Sequence, residues 1–217
     1  MKLRPKDSPP DLIKSMLNLN DVEPWSGKVD LDALMKECLY TIKSYVVLSE
    51  HDALAVVLWI INSWCPKLFA RCPLLLINAP ERECGKTQLL KVVEKLVSRP
   101  IETANISLAA LFRLITNYSP TLLIDEADTF MEGKSEMAGV VNKGYERGGV
   151  VLRVESSNGK DMTERAFNVF GPKAMAGIML ERHLPSATMS RGIQIPLKRK
   201  TKDDTVQRLR SADPKVF

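Results

Sequence analysis

Apolar positions divide the chain into a helical first part and an alternating second part. Leu31, Leu34, Met35, Cys38 and Ile42 recur at helical spacing, which predicts a helix ending near Tyr45. Ser49 suits an N-cap, and Ala53, Val56, Val57, Ile60 and Trp64 behind it predict a second helix. The tryptophan-bearing stretch 59–64 reads as ordinary core. After Cys72-Pro73 the pattern becomes strand, helix, strand. Residues 74–77 form a continuous apolar run, as expected of a strand covered on both faces. Leu89, Leu90, Val93, Leu96 and Val97 mark a helix that Pro100 stops, and 101–105 predicts a short strand. Ser107 caps a helix carrying Leu111, Leu114 and Ile115; Thr121–Ile124 is another short buried strand. Met137, Val140, Val141 and Tyr145 mark a helix ended by Gly148-Gly149. Runs 150–155 and 165–170, joined by polar residues 156–164, predict a hairpin. The last two strands are expected over 173–179 and 192–197.

This order predicts an α/β fold, with a mostly parallel sheet covered by helices on both faces. Four segments follow: an irregular lead-in over 1–29, a helical segment over 30–68, the α/β core over 69–198 and a basic tail over 199–217. Pro5, Pro9, Pro10, Pro24 and Gly27 punctuate the lead-in, where only 11–19 suits a short helix. No helical lid is expected beyond the last strand.

A chain of 217 residues, 45% apolar and 26% charged, fits a soluble globular protein. The polar start, Met1-Lys-Leu-Arg-Pro, has no apolar signal region behind it, and the longest apolar run, 53–61, falls short of the ~20 residues of a bilayer span. A cytoplasmic protein without membrane contact is expected. Cys38, Cys65, Cys72 and Cys84 form no CxxC pair and have no His at ligand spacing, which argues against zinc and for a reducing compartment. A net charge of +5 permits a polyanionic partner and equally fits a mildly basic protein without one.

The chemistry concentrates in two places. After the run 74–77, the loop Asn78-Ala-Pro-Glu-Arg-Glu-Cys-Gly-Lys-Thr-Gln leads into the helix at 89. That is the strand–loop–helix context of a P-loop, whose backbone N–H groups and helix dipole converge on a phosphate. The expected nucleotide-contacting set is Glu83, Cys84, Gly85, Lys86, Thr87 and Gln88. Lys86 suits the β- and γ-phosphates and Thr87 suits Mg²⁺. Position 80 is Pro where the usual pattern has Gly, so the loop must begin in a different conformation or be stiffened there. Gly-Lys-Thr alone also occurs in ordinary surface turns. The second place is Thr121-Leu-Leu-Ile-Asp-Glu, two acids ending a buried strand. Ligands collect at the carboxyl ends of parallel strands, so Asp125 suits holding Mg²⁺ through a water and Glu126 suits activation of the attacking water. Asp128 is a weaker candidate, more in keeping with a solvated turn.

From about residue 23 to 200 the chain resembles P-loop domains of unknown function encoded on prophages, plasmids and genomic islands, often beside or fused to primase modules. The residues that carry the resemblance are Val46-Val47-Leu48, Ala79-Pro80-Glu81, Cys84-Gly85-Lys86-Thr87 and Ser107-Leu-Ala-Ala-Leu-Phe-Arg. They continue with Thr121-Leu-Leu-Ile-Asp-Glu-Ala-Asp-Thr-Phe, Gly148-Gly-Val-Val-Leu-Arg, Gly171-Pro-Lys-Ala and Leu184-Pro with Ser190-Arg-Gly-Ile. Pro80 is at home in that group, which is similar to the wider AAA+ and superfamily 3 helicase fold. The resemblance implies that Arg191, before the last strand, is an arginine finger acting on a neighbouring subunit, with Arg182 as competitor and a plain solvated Arg as the alternative. It also implies that the 150–170 hairpin points into a ring's pore, with Lys160 near its tip contacting DNA; a plain solvent hairpin is the alternative. The polar sensor residue of such ATPases is missing from the end of the 173–179 strand.

The expectation is therefore a Mg²⁺-dependent ATPase in a homo-oligomeric ring such as a hexamer. It would act on single-stranded DNA as a helicase or translocase module in the replication of a mobile element. A nucleotide-gated module that recruits a primase or another partner without unwinding is the second expectation. A small-molecule kinase is a third, which the helical lead-in and the acid pair support little.

Overall fold

The computed structural model describes residues 14, 17, 19, 22–104, 106–131, 135–157 and 161–209. Asp30 accepts hydrogen bonds from the N–H groups of Asp32 and Ala33 and starts helix α1 (Leu31–Tyr45). Ser49 accepts from Asp52 and starts α2 (Glu50–Trp64). Each cap satisfies an N–H that the first helical turn leaves without an acceptor, worth typically ~1 kcal/mol. The alternating part then yields β1 (Leu74–Ala79), α3 (Lys86–Leu96), β2 (Pro100–Thr103), α4 (Leu108–Tyr118) and β3 (Thr121–Ile124). It continues with α5 (Ala127–Met131), α6 (Ser135–Lys143), β4 (Val150–Ser157), β5 (Asp161–Asn168) and β6 (Lys173–Ile178), and ends with α7 (Leu180–His183), α8 (Ser186–Met189) and β7 (Gly192–Pro196).

Five strands form one sheet in the order β2-β3-β6-β1-β7, with every pairing parallel. The side-chain period of two sends Leu74, Leu76, Leu122, Ile124 and Met175 to one face, where residues of α4, α5 and α6 cover them. Leu75, Ile77, Leu123, Ala174 and Ala176 face the other way, against residues of α1, α2 and α3. Because both faces are covered, the strands read as unbroken apolar runs. Truncating a fully buried core leucine such as Leu76 to Ala costs about 2–5 kcal/mol. The segment 30–68 thus supplies a layer of this same core rather than a separate unit. All β-strands of the sheet being parallel, their carboxyl ends share one edge. The last strand, β7, is laid on the far side of β1 from the others, so strand order reverses at β1.

The hairpin β4–β5 is a separate antiparallel pair with Val151 opposite Phe167. Phe167 packs against Phe112 of α4, with ring centroids 4.4 Å apart. The opposite face carries Val150, Leu152, Val154 and Met162, which are 39%, 65%, 58% and 81% exposed. Lys160, near the expected tip, lies outside the described residues, as does most of the expected lead-in helix.

Three expectations need correction. Trp59 is core at 1% exposure, but Trp64 is 52% exposed, because it ends α2 where the helix runs past the sheet. Its indole N–H donates to the carbonyl of Leu96, the last residue of α3, at 2.9 Å. Leu31 and Leu34 are exposed, since α1 first packs against the core at Met35 and is buried only at Ile42 and Tyr45. The expected strand over 101–105 is shorter and begins earlier, at Pro100, where pairing with Thr121 of β3 starts.

At the amino-terminal edge of the sheet, Lys173 is fully buried. Its ammonium donates to the carbonyls of Val169 and Gly171, each at 2.9 Å, and of Gly144 at 3.4 Å. It thereby ties the end of α6 and the exit of the hairpin to β6. Burial lowers the Lys173 pKa to about 8, and burial raises that of the neighbouring Cys72 to about 11.

Candidate functional site

The loop between β1 and α3 takes its shape from two left-handed residues, Glu83 at φ 62° and Gly85 at φ 86°. A left-handed conformation costs a non-glycine residue about 1–2 kcal/mol, so Glu83 holds its place against strain. Position 80 is not asked for a positive φ, and proline fits there. A Cβ on Gly85 would make only ordinary contact with Val46, at 3.7 Å. Glycine is therefore required there by backbone conformation, not by room inside the protein. The Cys84 side chain is buried in the core beneath the loop, so this residue anchors the loop and leaves only its backbone for a ligand.

Gly85 occupies the N-cap position of α3 without a side-chain hydrogen bond to the helix. Asp30, Ser49 and Ser107 do make such bonds for α1, α2 and α4. The first-turn N–H groups of α3 thus have no side-chain acceptor, and the helix dipole adds positive potential at the same point. Both favour an anion.

Because the strands are parallel, the end of β3 reaches this same edge. Thr87, in the first turn of α3, donates its hydroxyl to Asp125 Oδ2 at 2.9 Å, across 38 residues of sequence. The other carboxylate oxygen of Asp125 accepts the Glu126 N–H at 2.9 Å. Glu126 is itself left-handed, at φ 52°, in the sharp turn between β3 and α5. Gly177 of β6 lets that turn come close: a Cβ there would stand 2.8 Å from Asp128 Oδ1 and 3.1 Å from the Asp128 nitrogen. Between loop and turn lies a cleft of about 490 Å³, whose lining includes Lys86, Thr87, Asp125, Glu126 and Asp128. The Lys86 ammonium donates back to the carbonyl of Glu81, at 3.2 Å, within its own loop.

The structure brings together Glu83, Lys86, Thr87, Asp125 and Glu126 around this cleft, and separates others from it. Cys84, Gly85 and Gln88 line a second cavity of about 410 Å³ behind the loop; Glu83 lines both. Arg191 is not in the cleft. Its carbonyl accepts from Leu74, the first residue of β1, so it lies at the opposite edge of the sheet, about 20 Å away along a six-residue strand. There its guanidinium donates to the carbonyl of Ala187 and sits 5.9 Å from the centre of the Tyr145 ring. Arg182 is exposed, in α7 beyond the carboxyl end of β6. Asp128 lines the cleft after all, as do Arg82 and Thr129, which nothing in the local sequence marked. Asn78 also went unmarked: inside an apolar strand run, it accepts the Leu180 N–H and donates to Glu181. The Glu181 N–H, and after it the Asn78 amide, hold the Glu181 carboxyl below its ordinary pKa.

Among the described residues, no group of three or more His, Cys, Asp or Glu could hold a metal unaided. Mg²⁺ shared with phosphates asks the protein for only one or two oxygen ligands. Thr87 and Asp125, already in mutual contact, fit that requirement. Among the described residues no helix is long and apolar enough to cross a membrane. No protein-family model matches the chain, and no curated protein matches it.

Proposed function

We propose that the chain is a P-loop ATPase. The observation that carries the reading is the Thr87–Asp125 hydrogen bond at the uncapped start of α3, which joins a hydroxyl and a carboxylate at an anion-favouring helix terminus. In this reading the α3 N–H groups and Lys86 hold the β- and γ-phosphates, and Lys86 exchanges its bond to Glu81 for them. Thr87 and Asp125 hold Mg²⁺, which when bound neutralises charge on the phosphoryl oxygens. The Glu126 carboxylate orients a water in line with the γ-phosphate and takes its proton. Arg191 stands too far from its own cleft to serve it, so an arginine-finger role for it requires the cleft of a neighbouring copy within a ring.

Two couplings remain open to this ATPase. One is helicase or translocase work on single-stranded DNA in mobile-element replication. The other is nucleotide-gated recruitment of a protein such as a primase, favoured by the exposed apolar face of the hairpin, because Val150, Leu152, Val154 and Met162 suit a protein better than a phosphate backbone. The test is ATP hydrolysis and molecular mass, each measured with and without single-stranded DNA. Lys86→Ala is expected to lose nucleotide binding, and Glu126→Gln to bind ATP without turnover. Hydrolysis at the wild-type rate in either variant refutes the ATPase reading. DNA-stimulated hydrolysis by a ring selects the first coupling, and indifference to DNA the second.

A further inference from the structure

After β7 the chain does not leave the body of the protein. Residues 198–209 form a strap without helix or strand that returns across the back of the phosphate loop. Three attachments hold it. The Leu197 N–H donates to the Asn78 carbonyl at 2.8 Å, fixing where the strap begins. Arg199 pairs with Glu83 of the loop at 2.8 Å. The Gln207 N–H donates to the Ser44 carbonyl at 2.8 Å, and Leu209 packs against the core on the α1–α3 side. The cavity of about 410 Å³ lies between this strap, the α1–α2 junction and the loop.

Its walls differ from those of the phosphate cleft. Tyr45, Val46, Val47, Val206 and Leu209 make them more apolar than those of the cleft, and Gln88 adds a carboxamide that can both donate and accept. Size and lining suit a flat, hydrogen-bonding small molecule. The cavity and the phosphate cleft share Glu83 in their linings and the cavity abuts Gly85, so the two flank the same loop. The cations Lys198, Lys200 and Arg208 also line it.

We propose that this cavity receives the nucleoside end of the triphosphate, and that the 198–209 strap is a clamp that the base and ribose close. The inference rests on the P-loop reading for its phosphate end. The strap's few attachments make opening inexpensive, and a base seated against Val46 and Val206 supplies the contacts that favour closure. The Arg199–Glu83 pair links the clamp to the loop that grips the phosphates, so base and phosphates act on one segment.

Mg²⁺-tripolyphosphate and Mg²⁺-ATP, titrated calorimetrically into the full chain, separate the two ends. Wild type is expected to bind ATP more tightly than tripolyphosphate. Val206→Asp is expected to weaken ATP about tenfold or more while leaving tripolyphosphate within about twofold. Lys86→Ala weakens both and reports on the phosphate end alone. Limited trypsin digestion of the wild type, read by mass spectrometry, gives a measurement independent of any variant. Cleavage after Lys198, Lys200, Lys202 and Arg208 is expected to slow with ATP and not with tripolyphosphate. The clamp is overturned if Val206→Asp binds ATP like wild type, if its ATP and tripolyphosphate affinities fall together, or if the two ligands protect the strap alike. Binding of neither ligand by the wild type overturns the phosphate reading itself, and the clamp with it.

Discussion

Replacing Asp125 by Asn removes a charge and almost no shape. Asp125 Oδ2 accepts from the Thr87 hydroxyl and Oδ1 from the Glu126 N–H. An asparagine keeps its oxygen toward Glu126 and offers its NH₂ to the Thr87 oxygen, so both contacts survive with one reversed in polarity. On a half-exposed edge the change in folding stability is expected to stay below about 1 kcal/mol. The consequence for Mg²⁺ is larger. Unit charges 4 Å apart interact by about 4 kcal/mol at an effective dielectric constant of 20, so a divalent ion gains about 8 kcal/mol from the carboxylate before desolvation. Most of that gain is offset by the water both groups give up, and loss of a supporting carboxylate typically weakens a metal site 10–100-fold, or about 1.4–2.7 kcal/mol. The assay is titration of a fluorescent ATP analogue with Mg²⁺ and again with chelator. The Mg²⁺-dependent gain in affinity is expected to shrink 10–100-fold in Asp125→Asn, while affinity in chelator stays the same or rises, since a negative charge beside the phosphates has gone. An unchanged Mg²⁺ dependence would falsify the metal role of Asp125. An equal loss under both conditions would point instead to a collapsed loop, which urea unfolding of the same variant would reveal.

Gly177→Ala pushes a methyl against the Leu180 side chain and the Asp128 carboxylate, and close to the Asp128 nitrogen, so it is expected to destabilise by about 1–3 kcal/mol in chemical denaturation and to lower ATP turnover by shifting the turn that bears Glu126. Lys173 and Cys72 predict opposing pH effects on stability. Lys173 titrates at about 8 when folded and near 10.5 when unfolded, so between those values the unfolded chain holds the extra proton and stability rises with pH, by up to about 3 kcal/mol. Cys72 titrates at about 11 when folded and near 9.0 when unfolded, so between those values the folded chain holds the extra proton and stability falls. Urea midpoints are therefore expected to climb from about pH 8 to 9 and flatten above. Lys173→Met should abolish the climb, and Cys72→Ala should let it continue.

Much of the fold can be read from apolar runs, because a parallel sheet covered on both faces leaves its strands few polar positions. Thr121–Ile124 is such a run, and the structure forms β3 over those same residues. Parallel strands also put their carboxyl ends on one edge, which is why Thr87 and Asp125 could be paired before any distance was known. What could not be read depends on contacts between distant segments. The order of strands across the sheet, which places β7 beside β1 and away from β2 and β3, follows from how β7 docks on β1 rather than from any local pattern. The second cavity joins residues near 45 to residues near 206, and neither stretch carries a motif. Asn78 looks like an interruption of an apolar strand until the start of α7 is seen resting on its side chain. Trp64 has the spacing of a core residue and misses the core because α2 outlasts the sheet beneath it.

That last residue has an optical consequence. The chain has three tryptophans. Trp25 is out in solvent, Trp59 is sealed in the interior, and Trp64 stands half in water with its indole bonded to the far end of α3. The helix whose first turn meets the phosphate loop therefore ends, about 16 Å on, at a solvent-sensitive chromophore. A displacement of α3 along its axis is carried to that indole as a change of hydrogen bonding and polarity. The emission spectrum of the unlabelled protein is thus a built-in gauge of events at the loop.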